Sequence, residues 1–151
     1  MIIIQDTREQ NPFSFAFYDC ETTIATLKTG DYTLQGYEEV IAIERKKSTS
    51  ELATNLGKYK DRFEREMERL SKFDHKYIVC EFTEADLLQF PKNSSIPKRI
   101  VKYIRMNGKF MRKQLYKYED EYGVQIIFCD GKAEAEREVM EIFGEIVQDN
   151  E

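Results

Sequence analysis

The segment Val40-Ile41-Ala42-Ile43-Glu44-Arg45-Lys46 carries most of the information about fold and chemistry in this sequence. Its first four residues are apolar and mostly β-branched, which is typical of a buried β-strand. Because side chains alternate along a strand, Glu44 and Lys46 are predicted to share one face and Arg45 to lie on the other. The strand is therefore predicted to end in an acid and a base on the same side.

A second carboxylate precedes this strand. Lys28-Thr29-Gly30-Asp31-Tyr32 leads into a short apolar run, and Gly36 can turn the chain back. If the two strands form a hairpin, Asp31 returns beside Glu44. Two close carboxylates repel each other unless a cation lies between them, and oxygen ligands suit Mg²⁺ or Mn²⁺ better than Zn²⁺. The pattern predicts a divalent cation there, with Lys46 placed to orient a water molecule or stabilise negative charge.

Three motifs follow one another in this half of the chain: Asp6-Thr7-Arg8-Glu9, Leu27-Lys28-Thr29-Gly30-Asp31-Tyr32 and Ile43-Glu44-Arg45-Lys46. In order and approximate spacing they resemble the nuclease domain of the XPF-type structure-specific endonucleases, from Ile2 to about Leu70. An isolated Glu-x-Lys occurs by chance on many solvated strands, so the resemblance depends on all three motifs. It implies a restriction-endonuclease-like PD-(D/E)xK fold and hydrolysis of DNA phosphodiester bonds, with Mg²⁺ as cofactor and Mn²⁺ able to substitute.

The resemblance also implies roles for individual residues. The implied catalytic set is Asp6, Glu9, Asp31, Glu44, Arg45 and Lys46, with Asp6, Asp31 and Glu44 as metal ligands. Arg8 and Arg45 are expected to contact phosphate or to hold the carboxylates, and Lys60 and Arg62 match basic positions that contact DNA. One position departs from the family pattern, because the acid expected four residues after Lys46 is Ser50 here. Glu51 either replaces that acid or only caps a helix.

The remaining residues predict alternating helices and strands. Ser48 and Glu51 have capping-box spacing, and apolar residues then recur at helical spacing, which predicts one helix to about Ser71. The chain is therefore expected to form a single α/β domain over residues 1–151, a three-layer sandwich with a central mixed β-sheet. The later elements are predicted at Tyr77–Cys80 (strand), Val124–Cys129 (strand) and from about Ala133 (helix).

The segment from Lys92 to Lys117 carries nine basic residues and no Asp or Glu, although the whole chain has a net charge of -5. A polyanion would be attracted to such a segment. The alternative is a solvated helix or a surface that docks an acidic partner. Asn107-Gly108 predicts a break between two helices here. The predicted buried stripe is Ile100, Ile104, Met111 and Leu115, and the predicted DNA-binding residues are Lys98, Arg99, Lys102 and Arg105.

Several function classes find little support in the composition. Cys20, Cys80 and Cys129 are odd in number and widely spaced, which predicts thiols without a redox or metal function in a reducing compartment. His75 is the only histidine, which argues against His-based zinc sites and Ser-His or Cys-His nucleophiles. No apolar run is long enough to span a membrane, so no membrane association is expected.

The resemblance further implies a stand-alone nuclease domain of phage or mobile-element type, without a helix-hairpin-helix domain. Such a protein would act in the cytoplasm of a bacterium or a phage-infected cell, as a homodimer, on DNA that is branched, flapped or partly single-stranded. Two alternatives stay open at this point. One is a non-catalytic DNA-binding or scaffold subunit that retained the fold, and the other is a restriction-type or RNA-directed nuclease with the same core.

Overall fold

The computed structural model describes residues 1–151, which form one mixed β-sheet covered by helices on both faces. The strands are β1 (Ile2–Asp6), β2 (Glu21–Ala25), β3 (Tyr32–Leu34), β4 (Ile41–Lys46), β5 (His75–Cys80) and β6 (Gln125–Phe128). The helices are α1 (Thr49–Leu56), α2 (Lys60–Leu70), α3 (Glu84–Leu88), α4 (Lys98–Val101), α5 (Gly108–Tyr122) and α6 (Lys132–Asp149). The predicted α/β class with a central mixed sheet is confirmed.

The sheet has the strand order β2-β1-β3-β4-β5-β6. Strands β1, β3 and β4 are successively antiparallel, β2 is parallel to β1, and β5 and β6 continue parallel to β4. This topology brings the end of β1, the start of β3 and the end of β4 to the same edge of the sheet. The three sequence motifs lie at these positions, so the topology places them together.

Side-chain alternation divides the core into two layers. Ala42 and Ile78 face a cluster built with α1, α2 and α5, whereas Ile43 and Val79 face a cluster built with α6 and two aromatic residues of the β1–β2 loop, Phe13 and Phe15. Glu44 and Lys46 continue the first face and Arg45 continues the second. No helix is both long and apolar enough to cross a membrane.

Four details differ from the sequence predictions. The single helix predicted to about Ser71 is two helices, because Gly57 adopts non-helical angles (φ -106°, ψ -92°) and ends α1. Strand β2 was not predicted because all five of its residues are exposed at the sheet edge, so it lacks an apolar pattern. Helix α3 has only five residues and was also missed. Ile100, predicted to be buried, is 39% exposed because α4 is a single surface turn, whereas Met111 and Leu115 are buried as predicted.

Candidate active site

The β3–β4 hairpin places Asp31 beside the end of β4, as the sequence predicted. The backbone N–H of Asp31 donates to the carbonyl oxygen of Ile43 at 2.7 Å, and the backbone N–H of Arg45 donates to Oδ2 of Asp31 at 2.7 Å. Gly30 precedes Asp31 in the left-handed region (φ +78°), and a Cβ there would lie 3.0 Å from the Ile43 oxygen. Only glycine fits this turn without strain.

A cleft of about 480 Å³ opens at this edge of the sheet, and its walls are almost entirely polar. Six of the predicted site residues line it: Asp6, Arg8, Asp31, Glu44, Lys46 and Arg62. The other predicted residues lie elsewhere: Glu9, Arg45, Lys60, Lys98, Arg99, Lys102 and Arg105. Four lining residues come from helices and were not among the predicted site residues: Asn55, Phe63, Glu66 and Arg69.

The deepest part of the cleft holds two carboxylates and one ammonium group. Nζ of Lys46 donates to Oε1 of Glu44 at 3.1 Å, and their side chains are only 6% and 12% exposed. Burial raises the pKa of Asp31 to about 7 and the pKa of Glu44 well above its usual value, although Lys46 lowers both. Burial opposes the charge on Lys46, but Glu44 and other carboxylates raise its pKa on balance. One buried ammonium therefore faces two carboxylates in this part of the cleft.

Asp6 lies at the side of the cleft with both carboxylate oxygens occupied. Arg8 donates from Nε to Oδ2 at 2.9 Å and from Nη2 to Oδ1 at 3.1 Å, and the backbone N–H of Leu27 donates to Oδ1 at 2.8 Å. Burial alone would raise the pKa of Asp6, but these bonds lower it. The side chain of Arg8 is 69% exposed at the cleft mouth. Asp6 as a metal ligand stays a prediction, and it requires Arg8 to release the carboxylate.

Arg45 points away from the cleft, as strand alternation predicted. Its guanidinium has no exposed surface. It forms ion pairs with two carboxylates on the face of the sheet opposite to the cleft, with Glu9 at 2.6 Å and with Glu81. The carbon Cζ lies 4.2 Å from the centroid of the Phe13 ring. Of its two expected roles, holding carboxylates fits this geometry, and phosphate contact does not. Glu9, expected in the acidic set of the site, is instead bound to Arg45 outside the cleft.

Glu51 caps helix α1 and does not line the cleft. Its backbone N–H donates to Oγ of Ser48 at 3.1 Å, and its Oε1 accepts from the backbone N–H of Lys47 at 3.3 Å. A hydroxyl and a carboxylate that accept hydrogen bonds from backbone N–H groups in this way are typical of the beginning of a helix. The geometry favours the capping role over replacement of the acid that the family pattern has at Ser50.

The oxygen atoms of the cleft fit a hard divalent cation. Oδ1 of Asn55 is buried without a hydrogen-bond partner and belongs to the same cleft as Asp31 and Glu44. No group of three Asp, Glu, His or Cys side chains surrounds a single point. A set of two carboxylates and an amide oxygen suits Mg²⁺ or Mn²⁺, because these ions keep several water ligands.

Glu66 and Arg69 could have been recognised only weakly from the sequence. They are three residues apart on α2, and such pairs usually stabilise an exposed helix surface. Glu66 lies between the buried residues Phe63 and Met67, which places it at the border of the buried face. Because α1 ends at Gly57 and α2 begins at Lys60, the spacing of one continuous helix does not predict that this border faces the cleft.

No residue of the basic segment from Lys92 to Lys117 lines the cleft. Asn55 of α1 lines the cleft, whereas Ala53 and Gly57 line a separate groove together with Tyr103 and Met106. Arg105 also lines this groove. The four predicted DNA-binding residues of the basic segment are all exposed: Lys98, Arg99, Lys102 and Arg105. None of these four cations lines the cleft.

Comparison with known proteins supports the fold. The family described as the ERCC4 domain matches residues 5–140. Two solved structures are similar at a TM-score of 0.64 and 17% identity (XPF from Aeropyrum pernix) and at 0.65 and 18% (the same protein in complex with DNA). The first match covers 94% of this chain and 61% of the matched chain. The match to the DNA complex covers 95% of this chain and 65% of the matched chain. No curated protein matches. The predicted XPF-type nuclease fold is confirmed.

Proposed function

The chain belongs to the ERCC4 domain family of nucleases, and on that premise we propose that it is a metal-dependent endonuclease that hydrolyses DNA at branched or flap structures. The observation that carries the proposal is the buried grouping of Asp31, Glu44 and Lys46 in one polar cleft. A non-catalytic relative would have little reason to keep two buried carboxylates with raised pKa values, because burying them costs stability.

Asp31 and Glu44 are proposed to hold the cation, with Asn55 as a third oxygen donor. When bound, a divalent ion polarises a phosphodiester oxygen and lowers the pKa of a bound water. Lys46 is held by Glu44 on the same face, so its ammonium can orient the attacking water or stabilise the developing negative charge. What supports this assignment is that Asp31 and Glu44 lie together with only one ammonium group, that of Lys46, among them.

The mouth of the cleft is proposed to position the DNA backbone. Arg8 is fixed by Asp6 and by the carbonyl oxygen of Leu27 at 2.7 Å, yet most of its side chain is exposed. Arg62 lies on the opposite wall, with its guanidinium 4.8 Å from the centroid of the Tyr59 ring. Two oriented guanidinium groups at one opening suit the phosphates on either side of a scissile bond.

The basic segment is proposed as a second DNA contact. If phosphates bind there, replacing Lys102 and Arg105 with glutamine should weaken DNA binding about tenfold near 100 mM salt and reduce the salt slope by about two. Cleavage at saturating DNA should stay unchanged, because neither residue reaches the cleft.

The matched control is the double variant Lys132→Gln/Arg137→Gln, which removes two charges from α6 on the other face of the sheet. Fluorescence anisotropy across a salt series measures all three proteins. If DNA binding by the wild type and by the Lys102/Arg105 variant depended equally on salt concentration, a DNA contact in the basic segment would be contradicted.

The proposed substrate is tested with labelled duplex, single-stranded, 3′-flap, 5′-flap and splayed-arm DNA and with RNA, each incubated with Mg²⁺, Mn²⁺ or EDTA. We expect cleavage of a branched DNA with either metal and none with EDTA. Equal cutting of plain duplex, or preferential cutting of RNA, would contradict the proposed preference for branched DNA. The homodimer and the phage or mobile-element origin stay predictions, and light scattering tests the former.

A non-catalytic scaffold subunit is the second candidate. One observation favours it, because Ser50 stands where the family pattern has an acid and Glu51 caps the helix instead of entering the cleft. Such a subunit would bind branched DNA without cutting it under any metal. Cleavage by the purified protein alone would exclude this candidate.

A further inference from the structure

Glu66 lines the cleft although it lies on α2, outside the three sequence motifs. Its side chain is 17% exposed. Its Oε1 accepts a hydrogen bond from the backbone N–H of Gly30 at 3.0 Å, and its Oε2 accepts from Nη2 of Arg69 at 2.5 Å. One carboxylate therefore joins helix α2 to the loop that carries Asp31.

The Gly30 amide needs this partner. Gly30 is buried, and a buried backbone N–H is normally hydrogen-bonded. Gly30 adopts a left-handed conformation, and its amide takes no part in the pairing of β3 with β4. The adjacent bond of that pairing runs from the backbone N–H of Asp31 to the carbonyl oxygen of Ile43. Glu66 supplies the acceptor from outside the sheet.

We infer that Glu66 is a positioning residue for Asp31, acting through the bond from Gly30 to its carboxylate. The inference rests on the proposed function and extends it to a residue outside the motifs. Because Gly30 and Asp31 share a peptide bond, the position of the Gly30 amide limits where the Asp31 carboxylate can lie. Displacement of a catalytic group by about 1 Å can reduce a rate about a hundredfold.

The inference assigns the positioning to the acceptor oxygen of Glu66, whereas its negative charge acts separately by raising the pKa values of Asp31 and Glu44. Its ion pair with Arg69 offsets the negative charge, and the Arg69 side chain is 46% exposed and free to turn to solvent. A glutamine at this position would keep an oxygen for the Gly30 amide. A methionine would have a similar length and fill the same space, but it would offer no comparable acceptor.

The test compares Glu66→Gln and Glu66→Met with the wild type, and Glu68→Met is the control because Glu68 is exposed on the same helix. We expect Glu66→Gln to cleave within about threefold of the wild type and Glu66→Met to lose about a hundredfold in kcat, with KM for DNA little changed. Without DNA, Mn²⁺ affinity measured by electron paramagnetic resonance should fall about tenfold in Glu66→Met and stay constant in the other two variants.

Two results would overturn the inference. Wild-type Mn²⁺ affinity and cleavage in Glu66→Met would show that the bond to Gly30 positions nothing. Equal losses in Glu66→Gln and Glu66→Met, with unchanged circular dichroism, would show that the charge is the essential property. The Mn²⁺ series requires no cleavage, so it decides the role of Glu66 even if the wild type cuts none of the DNA panel and the proposed function fails.

Discussion

An Asp31→Asn variant is expected to cleave DNA about a thousandfold more slowly than the wild type while keeping its fold. In the wild type the backbone N–H of Arg45 donates to Oδ2 of Asp31 at 2.7 Å. The amide oxygen of asparagine can still accept this bond, so the hairpin should be preserved. What is lost is the negative charge that faces Glu44 across the cleft. A neutral amide holds a divalent cation more weakly than a carboxylate does.

The same substitution should not reduce stability in metal-free buffer. Burial raises the pKa of Asp31 to about 7, so its ionised form is unfavourable in the folded state at higher pH. In the unfolded chain this carboxyl ionises near its ordinary pKa, and the folded state therefore loses stability as the pH rises from about 4 through about 7. Asparagine removes that loss, and the variant should melt at or above the wild-type temperature at pH 8 without metal.

Single-turnover cleavage and thermal melting, measured on the same preparations, check both expectations. Asp74→Asn is the control, because Asp74 is exposed in the turn before β5. Cutting at the wild-type rate by Asp31→Asn would remove Asp31 from the proposed site. A large loss of melting temperature would mean that Asp31 has a structural role instead.

Replacing Arg45 with methionine is expected to destabilise the fold by about 3–5 kcal/mol. The guanidinium has no exposed surface, and its partners Glu9 and Glu81 are only 5% and 8% exposed. Removing the cation leaves two carboxylates buried without a counter-charge, which costs more than the ion pairs themselves contribute. The packing of the guanidinium on Phe13 is lost as well.

Urea unfolding of Arg45→Met and Arg45→Lys measures this effect. Lysine keeps the positive charge but lacks the planar guanidinium that can bridge two carboxylates. Arg45→Lys should therefore lose less unfolding free energy than Arg45→Met but more than none. The triple variant Glu9→Gln/Arg45→Met/Glu81→Gln should recover part of the stability, because no buried charge remains. A change below about 1 kcal/mol in Arg45→Met would contradict the view that Arg45 organises this side of the sheet.

The sequence predicted the spatial grouping of Asp31, Glu44 and Lys46 well, because strand geometry controls the direction of these side chains. Alternation along β4 separated Glu44 and Lys46 from Arg45, and the hairpin brought Asp31 to them. Both features depend only on local periodicity and on one turn at Gly36. The left-handed turn at Gly30, which the close approach to Ile43 makes necessary, lies in the same short stretch.

The sequence was less informative where contacts depend on how layers pack. Glu9 follows Asp6 by three residues and was expected in the acidic set, yet the loop after β1 turns it to Arg45 on the opposite face. Glu66 resembled a solvated residue of a charged helix, yet in the structure its carboxylate accepts a hydrogen bond from the backbone N–H of Gly30. Neither contact has a spacing signal, because each joins segments from different layers.

Whether Asp31, Glu44 and Lys46 form a nuclease site is decided by one cleavage assay. The wild type and Glu44→Ala are each incubated with the labelled DNA panel in the presence of Mg²⁺, Mn²⁺ or EDTA. We expect metal-dependent cutting of a branched DNA by the wild type and a loss of about a thousandfold or more in the cleavage rate of Glu44→Ala. Binding of the branched DNA without cutting under every metal, or equal cutting by Glu44→Ala, would contradict this expectation.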